Sequence, residues 1–79
     1  MTTLLTKRVA GKGYLPAKRV RDLRRGDVIV RPYLPLMRVA DIRLGDYNAF
    51  LRLESVDGPA HIGIWKRLNT LVAISEETK

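Results

Sequence analysis

The sequence predicts a small all-β domain of five strands that begins near residue 26. Three observations lead to this prediction. A chain of 79 residues is the length of one domain. Residues 20–32 indicate a helical turn, a tight turn and a strand, in that order. After residue 32, short apolar runs alternate with Gly, Pro, Asn and Asp, which favour turns.

The stretch at residues 20–32 marks the start of the predicted domain. Val20 and Leu23 are three residues apart, so one helical turn places both on the same face. Gly26 allows a positive φ at low cost, and the Asp27 side chain can bond nearby backbone. The β-branched run 28–30 then favours the first strand of the domain.

Residues 1–25 are predicted to form a basic N-terminal arm. Residues 3–9 contain Thr and Val, which favour a short strand, and residues 11–13 predict a flexible basic loop. Pro16 suits the first position of a helical turn, so residues 17–23 are expected to carry one or two turns.

The second predicted strand, residues 36–44, has a slip in its alternation. Its apolar side chains change parity halfway along the run. A β-bulge near Ala40 and Asp41 would return all four to one side of the sheet. These side chains are Met37, Val39, Ile42 and Leu44.

The third and fourth strands, residues 49–54 and 60–66, are predicted to form a hairpin around a turn at residues 55–59. Only one register matches both apolar faces, because a slip of one residue would turn one face outward. It pairs Leu53 with Ile62 and Leu51 with Ile64 inside, and Glu54 with His61, Arg52 with Gly63 and Phe50 with Trp65 outside. In this register Gly63 leaves room beside Arg52.

The remaining chain predicts a short break and a last strand. Residues 67–69 suit one 3₁₀ turn, and residues 71–74 form the fifth strand. The domain therefore spans residues 26–75, and residues 76–79 are a polar tail.

This order of elements resembles an SH3-like small β-barrel. The motif Leu-x-x-Gly-Asp-Val-Ile-Val at residues 23–30 is similar to the first strand of several such barrels. These include the N-terminal domain of the elongation factor P and initiation factor 5A group, and small accessory barrels encoded by bacteriophages. The segment 66–70 resembles the 3₁₀ turn before the last strand of that fold. The modified-lysine loop of the elongation factor group is missing, so translation-factor activity is not carried over. SH3-like barrels bind RNA, DNA or peptides, and many only hold assemblies together, so the resemblance by itself does not choose among these functions.

The net charge of +7 is confined to the first third of the chain. Residues 1–25 hold eight basic residues and one acidic residue, whereas residues 26–79 hold seven of each. This asymmetry indicates an anionic partner, and the segment predicts non-specific DNA or RNA binding through phosphates. The predicted nucleic-acid-binding residues are Lys7, Arg8, Lys12, Tyr14, Lys18, Arg19, Arg21, Arg24 and Arg25. A solvated surface that serves solubility is the alternative interpretation.

Phe50 and Trp65 are the second candidate face. If they share the outer side of the hairpin, they could stack on bases or contact a partner. The alternative is a second small hydrophobic cluster under the N-terminal segment.

Catalysis is not expected from this composition. His61 is the single histidine and there is no cysteine, so a metal site, a thiol nucleophile and a disulfide are not predicted. Ser55, Asp57 and His61 surround one turn, where nothing suggests an oxyanion hole. No cofactor is expected, and no run of apolar residues is long enough to span a bilayer.

Two functions remain open at this point. The sequence predicts a cytoplasmic, non-enzymatic barrel that binds nucleic acid. The alternative is a protein-interaction module, such as a phage-type accessory protein that docks on an acidic host or virion protein. Self-association through an edge strand would also fit a small sheet.

Overall fold

Seven strands and one helical turn make up the regular structure of the computed structural model, which describes residues 5–75. The predicted polar tail at 76–79 lies outside the described residues, as do residues 3 and 4 of the predicted first run. The 3₁₀ turn spans Val20–Asp22. The strands are β1 (Thr6–Val9), β2 (Gly13–Arg19), β3 (Val28–Ile29), β4 (Met37–Leu44), β5 (Asn48–Ser55), β6 (His61–Arg67) and β7 (Leu71–Ser75).

The strands form one antiparallel sheet in the order β1-β2-β7-β3-β4-β5-β6. Strands β3 to β6 are a meander, and β7 returns to lie between β3 and β2. The all-β prediction is confirmed. The sheet contains two strands besides the five in residues 26–75: β1, which falls within the short strand expected at residues 3–9, and β2, which was not predicted. The sheet is not closed, since no pairing joins its edge strands β1 and β6 within residues 5–75.

The N-terminal segment corrects one local prediction. Residues 17–19 were expected to be helical, but they pair with residues 71–73 of β7. Pro16 lies in β2 opposite Thr6, and the neighbouring Ala17 amide donates to the Leu5 carbonyl at 2.9 Å. Backbone partners more than fifty residues away therefore override the local preference for a turn. The helical turn that remains is limited to Val20–Asp22.

The tight turn before β3 has the predicted chemistry. Gly26 adopts a φ of 93°, and the Asp27 carboxylate accepts a hydrogen bond from the Arg24 amide at 2.9 Å. Val20 and Leu23 are both buried on the same side of the chain. This turn connects the 3₁₀ segment to strand β3.

The bulge in β4 lies where the alternation predicts it. The register with β5 shifts between Val39 and Asp41. Met37 and Val39 are buried, and Ile42 packs against the same interior after the shift. Leu44, the last residue of β4, is 61% exposed because the strand has passed the interior by that point.

The β5–β6 hairpin adopts the predicted register at all five residue pairs. Trp65 is 67% exposed, as this register requires. The room beside Gly63 is used differently from the prediction, because the Phe50 ring occupies it. A Cβ atom at position 63 would lie 2.5 Å from Phe50 Cζ. The glycine therefore accommodates a ring from the neighbouring strand.

Apolar side chains collect on two sides of the sheet. The main core is enclosed by the 3₁₀ turn, the meander and β7, and its buried members are Val20, Leu23, Ile29, Met37, Val39, Ala49, Leu51, Leu53 and Val72. The second cluster lies between the N-terminal hairpin and strands β3 and β7. It contains Val9, Val30 and Ala73, with Leu15 and Leu36 packed against them.

Candidate nucleic-acid interface

The basic hairpin, residues 6–19, places part of the predicted interface on a regular two-stranded ribbon. Its turn is closed by the Lys12 amide, which donates to the Val9 carbonyl at 2.9 Å. Gly11 and Gly13 adopt φ values of 80° and 78°, which glycine tolerates best. Lys12 is thus held at the tip of the ribbon, and Arg8 lies opposite Tyr14 on one face.

The predicted interface residues are almost all accessible. Eight of the nine are exposed, and Lys18 is half-buried. They extend from β1 through the hairpin turn and β2 to the loop before β3. The exposed members are Lys7, Arg8, Lys12, Tyr14, Arg19, Arg21, Arg24 and Arg25.

Three of these cations already have partners within the protein. The Lys18 ammonium lies 3.1 Å from the Asp27 carboxylate, and the Arg25 guanidinium lies 3.3 Å from Asp41. Lys7 Nζ donates to the Leu71 carbonyl at 2.9 Å. Within residues 5–75 the other five make no ion pair and no side-chain hydrogen bond: Arg8, Lys12, Arg19, Arg21 and Arg24.

Asp41 in β4 joins the basic N-terminal segment to the meander through its ion pair with Arg25. Partial burial acts to raise the pKa of its carboxyl group, but three effects outweigh it. The Ile42 amide donates a hydrogen bond, Arg25 donates another, and the charges of Arg25 and Arg43 favour the anion. The pKa of Asp41 therefore lies below its ordinary value of 3.8.

Phe50, which is half-buried, and Trp65, which is exposed, form a separate aromatic pair on the β5–β6 hairpin. Their ring centroids are 5.1 Å apart and the ring planes are tilted by 57°. This is a favourable geometry for two aromatic rings. Neither ring belongs to the second cluster, so the interpretation of the pair as a cluster under the N-terminal segment was wrong. The cluster under the N-terminal segment consists of aliphatic side chains instead.

Tyr33 joins the interface without having been predicted. It is 84% exposed with a φ of 59°, an uncommon backbone conformation for a residue other than glycine. Its ring lies beside Gly11, because a Cβ atom there would be 3.7 Å from Tyr33 Cε1. No local pattern could have indicated this proximity, since the fold brings the loop at 31–36 to the hairpin turn.

Arg31 and Lys66 were also missed by the sequence prediction. Together with Lys7 and Arg8 they surround a cleft of about 270 Å³ between strands from opposite ends of the sheet. Their grouping depends on the curvature of the sheet, so it has no signature in the sequence.

Comparison with family models, with curated proteins and with solved structures finds no match to this chain. Within residues 5–75, no helix has the length and apolar character needed to cross a membrane. The same residues contain no cluster of three or more His, Asp or Glu side chains that could hold a metal ion. The geometry thus defines a small all-β protein that presents an exposed cationic hairpin.

Proposed function

We propose that the protein is a non-enzymatic nucleic-acid-binding protein that contacts the phosphate backbone through the basic hairpin and the turn that follows it. One observation carries this proposal. Five exposed cations between residues 8 and 24 are free of carboxylate partners in the described chain, and three of them lie within the basic hairpin. A surface that served only solubility would have no need of this concentration in one segment.

The binding energy comes mainly from phosphate neutralisation. Each cation that contacts a phosphate releases condensed counterions, which favours binding most at low salt. Arg8, Arg19, Arg21 and Arg24 can each present two donors to one phosphate. Lys18 and Arg25 contribute less, because Asp27 and Asp41 already neutralise them.

Aromatic side chains extend this surface. Tyr14 lies opposite Arg8, and Tyr33 lies beside the hairpin turn. Both are largely exposed and can stack on unpaired bases, which tolerates any sequence. The proposal is therefore binding with little sequence preference, and it includes single strands.

The fold proposed for this function is an SH3-like barrel with an added hairpin. In this interpretation β3 to β7 are the five barrel strands. The support is the meander from β3 to β6, the turn in which the Thr70 amide donates to the Arg67 carbonyl at 3.1 Å, and the return of β7 beside β3. Such barrels have many functions, so the fold adds no independent weight to nucleic-acid binding.

A salt titration tests the proposal. If five phosphates are engaged, log affinity for a short DNA duplex should fall against log salt with a slope of about −4.5. Substituting Arg8→Gln and Lys12→Gln together should reduce the slope by about 2. Arg67→Gln removes an exposed charge elsewhere and should leave the slope unchanged. A flat salt response, or no binding at low salt, would contradict the proposal.

A protein-interaction module is the second candidate, and the exposed Trp65 ring, which contacts the half-buried Phe50, favours it. Aromatic side chains are enriched at protein interfaces. Capture of partners from a lysate with and without nuclease separates the two functions. Partners lost after nuclease treatment indicate nucleic acid, whereas partners retained in a Trp65-dependent manner indicate protein.

A further inference from the structure

A cleft between the two edges of the sheet is a second candidate site, and most of the residues that line it lie outside the basic hairpin. It is lined by residues 7–9 of β1 on one side and by Ile64 and Lys66 of β6 on the other. These strands are at opposite ends of the strand order, so the sheet curls until both edges border one cleft. Its volume is about 270 Å³, close to the lower limit for ligand pockets.

The cleft has an apolar floor and a cationic rim. No acidic residue is among those that line it. The rim is formed by Lys7, Arg8, Arg31 and Lys66. The floor is aliphatic and includes Val9, Val30, Leu51, Ile64 and Val72. This distribution suits an occupant with an aliphatic group and neighbouring negative charges.

Arg31 gives the rim an unused donor. Its side chain is part of the cleft wall, and its Nε atom is buried without a hydrogen-bond partner in the described chain. A buried donor without a partner is costly, so a shift of this side chain toward a bound carboxylate would be favourable.

The strands that border the cleft also offer unpaired backbone. Within residues 5–75, β1 pairs only with β2, and β6 pairs only with β5. Alternate residues of an edge strand direct their N–H and C=O groups away from the single partner strand, where an extended peptide can bind them. The edge of β6 is the longer of the two, with seven residues against four.

We propose that this cleft binds an extended acidic segment of a partner protein, which pairs with β6 and inserts one aliphatic side chain between the two edges. The carboxylates on either side of the anchor meet the four cations of the rim. The backbone of the segment satisfies the edge of β6, and the anchor covers the aliphatic floor. This is strand addition with specificity from one pocket and its charges.

A nucleic acid fits the cleft less well than a peptide. A base that entered it would lose water from its polar edges and find no polar side chain on the floor to replace that water. A peptide with an aliphatic anchor leaves no such group unpaired. The proposal goes beyond phosphate binding by the hairpin, since Arg31 and Lys66 lie outside that segment.

The test uses the full chain and a capped peptide, Asp-Thr-Glu-Thr-Ile-Thr-Glu-Thr-Asp, in which every acidic residue shares a face with the isoleucine. Amide NMR shifts and hydrogen exchange should show saturable binding and slower exchange within residues 61–67. Replacing the isoleucine of the peptide by serine should weaken binding about tenfold or more, because the buried aliphatic anchor is lost.

Two protein variants locate the site. Arg31→Gln combined with Lys66→Gln should weaken peptide binding about tenfold. Arg38→Gln combined with Arg43→Gln is the control, because it removes the same charge from β4 outside the cleft. Equal affinity for both peptides, or equal effects of both double variants, would overturn the proposal. A single-stranded oligonucleotide that protects the same β6 amides would instead assign the cleft to nucleic acid. The salt slope of DNA binding reports separately on the hairpin.

Discussion

The basic hairpin and the β3–β6 meander differ in what holds them in place. The meander encloses most of the main core, whose nine buried residues include the fully buried Leu51 and Leu53. The hairpin rests on the second cluster, which has three buried residues, and pairs with β7 at three positions. The hairpin and its following turn also carry the excess positive charge. Stability and charge therefore lie in different parts of the chain, so either can be altered with limited effect on the other.

The largest expected loss of stability comes from a substitution in the main core. Leu53→Ala removes a side chain with no exposed surface and should lower the free energy of unfolding by about 3 kcal/mol. Denaturant unfolding measures this change. Leu44→Ala is the matched control, because Leu44 is 61% exposed and should cost less than about 0.5 kcal/mol. Similar losses from both variants would mean that the main core does not dominate stability.

A substitution in the second cluster should lower the free energy of unfolding by less, and its effect should be confined to the hairpin. Val9→Ala removes two methyl groups from a buried side chain and should cost about 1.5 kcal/mol. Hydrogen exchange should accelerate in residues 6–19, whereas amides of β5 should keep their protection. Uniform acceleration through the whole sheet would show that hairpin and meander unfold as one unit.

A smaller effect is expected on the outer face of the meander. In Gly63→Ala the new Cβ atom displaces the Phe50 ring, at a cost of about 1 kcal/mol. Trp65 fluorescence should report the change, because the two rings are in contact. Combining the substitution with Phe50→Leu should remove most of the cost. A cost that persists in the double variant would place its origin in the backbone of β6.

The smallest effect concerns the contact that joins the charged segment to the meander. Because the pKa of Asp41 in the folded protein lies below 3.8, its stabilisation is complete above that pH and is lost as the pH falls through the lowered value. Thermal unfolding of the native protein and of Asp41→Asn should therefore converge at low pH. A difference that grows on acidification would contradict this assignment.

Much of the meander could be predicted because its signals are local. Alternation in two neighbouring strands leaves one register for Leu51, Leu53, Ile62 and Ile64, and a change of parity in β4 requires a bulge. Strand β2 in the N-terminal segment offered no such signal. Residues 17–19 become a strand through pairing with β7, which is more than fifty residues later in the chain.

The candidate sites show the same division. The cations of the interface are visible in the sequence because charge is a property of composition. The sequence does not show which of these cations are free to bind a ligand, since Lys18 is paired with Asp27 and Arg25 with Asp41. The position of Tyr33 beside Gly11 depends on how the loops are arranged in space.

The sequence by itself determined the all-β class, the β5–β6 register, the turn at Gly26 and the concentration of positive charge in residues 1–25. These follow from side-chain periodicity, backbone preference and charge, which act over a few residues. Only the tertiary structure decided that this basic segment folds as a hairpin on β7, and that the edges at β1 and β6 meet around an aliphatic cleft. Both depend on contacts between distant residues and on the curvature of the whole sheet, which no local pattern records.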